Sequence, residues 1–126
     1  MTYALVDGMP MLEEDIQMAV FAHLRERGAP GVIAWHPKNG GVHQASVGQR
    51  VRNAKLGVLA GIQDVHVLKD GKLYCLELKR DRGKVSQEQQ ALLHAMSEAG
   101  AICGLAYGLD EALWWLEDKG LLRGQA

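Results

Sequence analysis

Two acidic residues and a lysine, Asp64, Glu77 and Lys79, have the types and the spacing that hydrolytic chemistry requires. They stand in two short alternating runs on either side of Asp70 and Gly71, and an Asp-Gly pair between such runs predicts a β-hairpin with a two-residue turn. In that register, residues whose numbers sum to 141 lie opposite each other, so Asp64 opposes Glu77. Because side chains alternate along a strand, both acids and Lys79 then share one face of the hairpin.

A carboxylate pair at this spacing favours a bound cation. Directly opposed residues have Cβ atoms roughly 4.5–5.5 Å apart, and like charges at that distance repel each other. A divalent cation such as Mg²⁺ between Asp64 and Glu77 would offset the repulsion, because hard cations prefer carboxylate oxygens. With Lys79 as a fixed positive charge, the group suits metal-assisted phosphoryl chemistry. The alternative is a solvated hairpin face on which the charges happen to alternate.

Length and composition favour a single globular domain over residues 1–126, with 48% hydrophobic and 23% charged residues. No apolar run approaches the ~18 residues of a membrane span, and the N-terminus shows no signal-peptide pattern. Cys75 and Cys103 fall in predicted strands, and we interpret them as buried free thiols of a cytoplasmic protein. No Cys/His spacing matches a zinc site.

Basic residues concentrate in the middle of the chain. Residues 36–84 have a charge balance of +6 and the flanks one of −7, within a net charge of −1. A basic middle around a carboxylate pair favours a polyanionic substrate, although scattered surface lysines are an alternative. A glycine-rich loop and a basic helix in this region suit contacts with a nucleic-acid backbone, but a flexible loop and a solvated helix face explain them equally well. The expected DNA contacts are Lys38, Asn39, Arg50, Arg52, Lys55, Arg80, Arg82, Lys84 and Ser86.

The periodicity predicts an α/β layout with a mixed central sheet and helices on its faces. Ser86 and Gln89 match a helix capping box. The run 101–107 is largely apolar and predicts a buried strand. The predicted elements are a helix over 11–27, a strand over 31–36, a loop over 38–48, a short helix over 49–56, the hairpin over 61–79, a helix over 86–99, a strand over 101–107 and a helix over 109–119.

The first predicted helix offers a further acid to the hairpin. Glu13 and Gln17 lie on the side of its apolar stripe, which includes Ile16 and Val20, so packing on the sheet would carry Glu13 toward the sheet's edge. Glu14 points elsewhere and is the less favoured candidate. An acid in the first turn of a helix also suits the helix dipole, which is a purely structural explanation.

The segments around these residues resemble a known nuclease family. Asp64 followed by Glu77-Leu78-Lys79 resembles the PD-(D/E)xK signature of the restriction-endonuclease-like superfamily, whose αβββαβ core agrees with the predicted order. More narrowly, EEDIQ, KLGVLAGIQDV and LELKRDRGKVSQEQ resemble the VRR-NUC domain, the virus-type replication-repair nuclease. The resemblance covers roughly residues 11–107. Gln63 departs from it, because the family usually has proline at this position.

The resemblance implies a stand-alone, Mg²⁺- or Mn²⁺-dependent DNA endonuclease of the kind found in phages and prophages. Glu13, Asp64 and Glu77 resemble the acids of the metal site, and the Leu78 carbonyl resembles a further ligand. Lys79 resembles the residue that orients the attacking water or stabilises charge on phosphorus. Gln17 and Gln89 resemble the active-site glutamines. A non-cleaving module that binds structured nucleic acid, and a nuclease acting on RNA, are the alternatives.

The C-terminal segment predicts a homodimer. Residues 112–116 are apolar in succession and include Trp114 and Trp115, and Leu121 and Leu122 follow. One core cannot bury a run that spreads round a whole helix, and an exposed two-tryptophan patch would be a liability. A second copy would cover it, and two-fold dimers are the commonest homo-oligomers. The resemblance also implies dimers that act on branched DNA such as four-way junctions. A monomer that folds its tail over its own sheet is the alternative.

Overall fold

The computed structural model describes residues 5–6, 9–37 and 46–124. Lys38 and Asn39, two of the expected DNA contacts, lie outside the described residues. The elements in chain order are β1 (Leu5–Val6), β2 (Met9–Pro10), α1 (Glu13–Arg27), β3 (Ile33–Trp35), α2 (Val47–Lys55), β4 (Val65–Lys69), β5 (Lys72–Lys79), α3 (Gln87–Glu98), β6 (Ile102–Tyr107) and α4 (Leu109–Asp118).

The central sheet is mixed and has the strand order β3-β4-β5-β6. Strand β4 pairs antiparallel with both β3 and β5, and β6 runs parallel to β5. The hairpin register is the predicted one, because Lys69 opposes Lys72 and His66 opposes Cys75. Asp70 and Gly71 have φ values of 51° and 76°, the positive pair that a two-residue hairpin turn of this kind requires.

The core lies on one face of this sheet. Side chains of alternate hairpin residues, among them Val65, Val67 and Leu76, are buried there, as the alternation predicts. Helix α1 covers them with its predicted stripe, which begins at Ile16, and α4 covers them with Ala112 and other residues. The acids lie on the opposite face of the sheet. The N-terminal end of α3 packs on that face, where Gln89 contacts Glu77.

Strand β6 differs from its prediction as a buried strand. It forms an edge of the sheet, so only Ala106 of its central residues is fully buried, and Leu105 is 37% exposed. A continuous apolar run does not distinguish a central parallel strand from an edge strand whose faces are partly covered by helices. Helices α3 and α4 both contact β6 and provide that partial cover.

The C-terminal segment buries part of its apolar surface within this chain, and the homodimer stays a prediction. Leu121 and Leu122 are buried, and the Leu121 carbonyl accepts a hydrogen bond from the Ala29 N–H at 2.9 Å. Trp115 packs edge-on against Tyr74, with ring centroids 6.4 Å apart. Trp114, 59% exposed, is therefore the exposed one of the two tryptophans. In the described part of the chain, no helix has the length and apolar character needed to cross a membrane.

Candidate active site

The hairpin brings the two predicted acids together at one end of the sheet. Asp64 immediately precedes β4, and Glu77 lies in β5. The backbone N–H of Leu78 donates to Asp64 Oδ2 at 2.9 Å, which holds this carboxylate against β5. Glu77 is 1% exposed and Lys79 6% exposed, so both charged side chains are buried. This burial excludes the alternative explanation of the pattern, which was a solvated hairpin face.

Among the described residues, only one oxygen of the Glu77 carboxylate, Oε2, has a hydrogen-bond partner. Its Oε2 accepts a hydrogen bond from Gln89 Nε2 at 2.8 Å and lies 3.7 Å from Lys79 Nζ. Its Oε1 is buried and has no hydrogen-bond partner among the described residues. A buried oxygen without a partner is costly, because it loses its bonds to water and gains none in exchange.

Burial, and after it the negative charge of Asp64, raise the pKa of Glu77 to about 9, although the nearby Lys79 opposes both effects. At neutral pH the carboxyl therefore retains a proton when no cation is bound. A metal ion would displace this proton, because ligation requires the ionised carboxylate.

Helix α1 delivers Glu13 to the same cluster. Glu13 Oε1 lies 3.7 Å from Lys79 Nζ, so Lys79 stands between Glu13 and Glu77. Glu14, the less favoured candidate, is exposed, and Gln17 is half-buried one turn further along the helix. The structure thus places Glu13 and Lys79 with the hairpin acids, whereas the role of Gln17 stays a prediction.

Gln89 has two functions in the structure, which the sequence offered as alternatives. Its Oε1 accepts from the Ser86 N–H at 2.9 Å and completes a capping box, while its Nε2 donates to Glu77. Gly61 permits this arrangement, because a Cβ there would lie 2.6 Å from the Glu88 carbonyl carbon and oxygen. The loop before Asp64 therefore lies directly against the first turn of α3.

The basic residues predicted to contact DNA are distributed over α2 and the loop after β5. Helix α2 has no buried residue and no acid in its first turn, and Arg50, Arg52 and Lys55 are exposed on it. The loop residues Arg80, Arg82 and Lys84 are exposed as well, whereas the hydroxyl of Ser86 caps α3. The structure leaves these cations accessible, and DNA binding by them stays a prediction.

Three polar residues near Asp64 were not predicted to belong to the site. His36 Nδ1 lies 2.7 Å from the Asp64 carbonyl oxygen, and His66 Nε2 lies 3.0 Å from Gln63 Oε1. Burial, and after it the nearby His36, lower the pKa of His66. The hairpin register already placed His66 on the face of the acids, but nothing local in the sequence pairs His36 with Asp64.

The donor set fits a hard divalent cation. Asp64 and Glu77 supply carboxylate oxygens, one of them the unpartnered Oε1 of Glu77. Leu78, which lies between Glu77 and Lys79 in the sequence, has a backbone carbonyl as a further oxygen donor. Within the described ranges, no group of three His, Cys, Asp or Glu side chains is arranged to hold a metal by itself. The two carboxylates of Asp64 and Glu77 match the one or two protein carboxylates that Mg²⁺ typically uses while it retains several waters.

The comparison with solved structures supports the predicted fold. No family profile matches the sequence, and no curated protein matches it. A solved structure described as "VRR_NUC domain protein" superimposes with a TM-score of 0.69 at 16% identity, covering 86% of this chain and 87% of that one. At this identity the likeness concerns the fold, and it confirms the restriction-endonuclease-like α/β arrangement that the motifs predicted. The chain therefore has the fold of a VRR_NUC domain protein.

Proposed function

We propose that this protein is a Mg²⁺- or Mn²⁺-dependent endodeoxyribonuclease that hydrolyses phosphodiester bonds in branched or structured DNA. The observation that carries the proposal is the buried, unpartnered Oε1 of Glu77 beside Asp64, next to a buried lysine. The fold shared with a VRR_NUC domain protein supports a nuclease-like activity.

In the proposed mechanism, Asp64, Glu77 and the Leu78 carbonyl would hold the cation, and Glu13 would complete the cluster from α1. The cation, when bound, supplies Lewis acidity, which lowers the pKa of a water molecule and neutralises charge on the scissile phosphate. The Leu78 N–H and the Gln89 amide keep the two carboxylates in fixed orientations.

Lys79 has two roles in this mechanism. Its ammonium group, 3.7 Å from both Glu13 and Glu77, orients the attacking water and stabilises negative charge that develops on the phosphate oxygens. Its burial against two carboxylates fixes the position of the charge before the substrate arrives. No side chain forms a covalent bond to the substrate.

Substrate binding would use the exposed cations of α2 and of the loop after β5. Arg50, Arg52 and Lys55 project from a helix that makes few contacts with the rest of the domain, which suits contact with a DNA backbone. We propose a cytoplasmic location in a bacterial or phage-infected cell, consistent with the free thiols of Cys75 and Cys103.

We also propose that the protein acts as a homodimer, because paired cuts on two strands require two sites. Exposed apolar side chains support association, namely Trp114 on α4 and, separately, Val47 and Val51 on α2. Analytical ultracentrifugation at micromolar concentrations tests this proposal, and a monomer mass across that range would refute it.

The experiment that tests the activity is cleavage of labelled substrates with Mn²⁺, Mg²⁺ or EDTA. Linear duplex, flap, splayed-arm and four-way-junction DNA would be compared with single-stranded and duplex RNA. Asp64→Asn and Glu77→Gln should each abolish cleavage, whereas Glu98→Gln, an exposed glutamate of α3, should leave it unchanged.

Four outcomes would overturn parts of the proposal. Full activity of Asp64→Asn or Glu77→Gln would refute the assigned site. Tight binding of four-way junctions without cleavage in any metal would instead indicate a binding module, and metal-dependent cleavage of RNA alone would change the substrate. Equal cleavage of linear duplex would remove the selectivity for branched DNA.

A further inference from the structure

His36 makes a contact that the proposed mechanism does not use. Its Nδ1 lies 2.7 Å from the backbone carbonyl oxygen of Asp64, across 28 residues of chain. A carbonyl oxygen only accepts, so Nδ1 carries the proton and donates it. The contact joins the residue that follows β3 to the residue that precedes β4, on the side of Asp64 away from β5.

The strand register explains why a side chain makes this bond. Trp35 opposes His66 and Ile33 opposes Leu68 in the antiparallel β3–β4 pair. Continued by two residues, the same register sets Pro37 opposite Asp64. Proline has no N–H, so the backbone at that position has no donor for the Asp64 carbonyl. The imidazole of the preceding residue, His36, supplies the missing donor.

We propose that His36 is a positioning residue for the metal ligand Asp64, an inference that rests on the proposed function. Asp64 lies outside the regular ladder of β4, which begins at Val65. Its carboxylate is held from β5 by the Leu78 N–H, and its backbone is held from the β3 side by His36. The two bonds act on opposite sides of the residue and together fix the direction in which the carboxylate points toward Glu77.

Three variants distinguish the effect of the hydrogen bond from the effect of the volume of the imidazole ring. His36→Leu retains a similar volume without a donor. His36→Asn retains a donor, because the amide nitrogen of asparagine stands where Nδ1 of histidine stands relative to Cβ. Pro37→Ala restores a backbone N–H opposite Asp64. The matched control is His94→Leu, which removes a 79%-exposed histidine from α3.

The primary measurement is Mn²⁺ affinity, determined by isothermal titration or by electron paramagnetic resonance of free Mn²⁺, with no substrate present. His36→Leu should bind Mn²⁺ roughly 3- to 10-fold more weakly than the wild type, the range expected for one hydrogen bond that orients a ligand. His36→Asn should recover most of that loss. In the Pro37→Ala background, the His36→Leu change should cost clearly less, about 2-fold or under.

If His36 only stabilised the fold, His36→Leu would lower the melting temperature of the metal-free protein. The Mn²⁺ affinity would then not depend on whether the side chain at position 36 is a hydrogen-bond donor. Equal Mn²⁺ affinities for His36→Leu and His94→Leu would overturn the inference while leaving the proposed function intact. An His36→Asn variant as weak as His36→Leu would also overturn it. A wild-type protein that binds no Mn²⁺ and cleaves nothing would refute the proposed function and this inference together.

Discussion

Replacing Glu77 by glutamine should stabilise the metal-free protein, and the gain should grow with pH. The folded protein raises the pKa of Glu77 to about 9 from an ordinary value of 4.5, mainly by burial and then by the charge of Asp64. An acid whose pKa is higher in the folded than in the unfolded state contributes most to the free energy of unfolding at pH values below its pKa in the unfolded state. That contribution is lost as pH rises toward the folded pKa. Glutamine does not ionise, so the Glu77→Gln variant escapes the loss.

The size of the effect follows from the pKa difference. Each pH unit between the two pKa values changes the free energy of unfolding by at most about 1.4 kcal/mol. From pH 5 to pH 8, the wild type should therefore lose up to about 4 kcal/mol relative to Glu77→Gln. The glutamine amide oxygen can still accept from Gln89, so the exchange removes charge with little change in packing.

Urea-induced unfolding in EDTA at pH 5, 6.5 and 8, followed by circular dichroism, measures this difference. Glu98→Gln serves as the control, because Glu98 is exposed on α3 and its loss should leave the pH profile parallel to that of the wild type. Parallel profiles for the wild type and Glu77→Gln would refute the argument that Glu77 is buried with a raised pKa. Saturating Mn²⁺ should stabilise the wild type at pH 8 and have little effect on Glu77→Gln.

Three further predictions concern Lys79, the cations of α2 and Gly61. Lys79→Ala should lower the cleavage rate strongly and weaken DNA binding only modestly, since its proposed role is in the transition state; equal losses in a kinetic and a binding assay would reduce Lys79 to a phosphate anchor. Replacing all three cations of α2, Arg50, Arg52 and Lys55, should weaken DNA binding and flatten its salt dependence in fluorescence anisotropy titrations; an unchanged salt slope would exclude α2 from the interface. Gly61→Ala should destabilise the fold by about 2–4 kcal/mol in urea unfolding, because φ is +79° and the new Cβ meets α3. Gly57→Ala, which has φ of +85° and open space, should cost only about 1 kcal/mol, and equal costs would show that the contact with α3 is unimportant.

The hairpin and its faces could be predicted because the information is local. An Asp-Gly turn fixes the register, and the register assigns every side chain of β4 and β5 to one face. This reasoning placed Asp64, Glu77 and Lys79 together before any tertiary contact was known. The helix stripe that begins at Ile16 was equally local, since a period of 3.6 residues identifies it.

Other features depend on contacts between distant segments and were therefore missed. The tail residues Leu121 and Leu122 are buried because they pair with the end of α1, across more than 90 residues of chain. Trp115 is covered because residue 104 is a glycine, whose missing side chain leaves room for the indole ring. The bond from His36 to Asp64 requires the β3–β4 register, which the long loop between these strands leaves undetermined in the sequence.

In the described part of the chain, each of the two carboxylates has one oxygen fixed and one oxygen left for a ligand, an arrangement that a module that only binds nucleic acid would not need. One oxygen of each carboxylate is fixed by an N–H donor, Leu78 for Asp64 and Gln89 for Glu77, which leaves Oδ1 and Oε1 for a ligand. Lys79 does not replace that ligand, because its ammonium group lies at 3.7 Å from Oε2 of Glu77 while Oε1 has no partner. A protein that only held nucleic acid would be more stable with a side chain at position 77 that cannot ionise. A buried acid that lowers the stability of the metal-free protein at neutral pH is useful where a cation binds it. In EDTA the wild type should therefore be less stable than Glu77→Gln, and in Mn²⁺ this difference should disappear. Both results would follow from the same buried carboxylate.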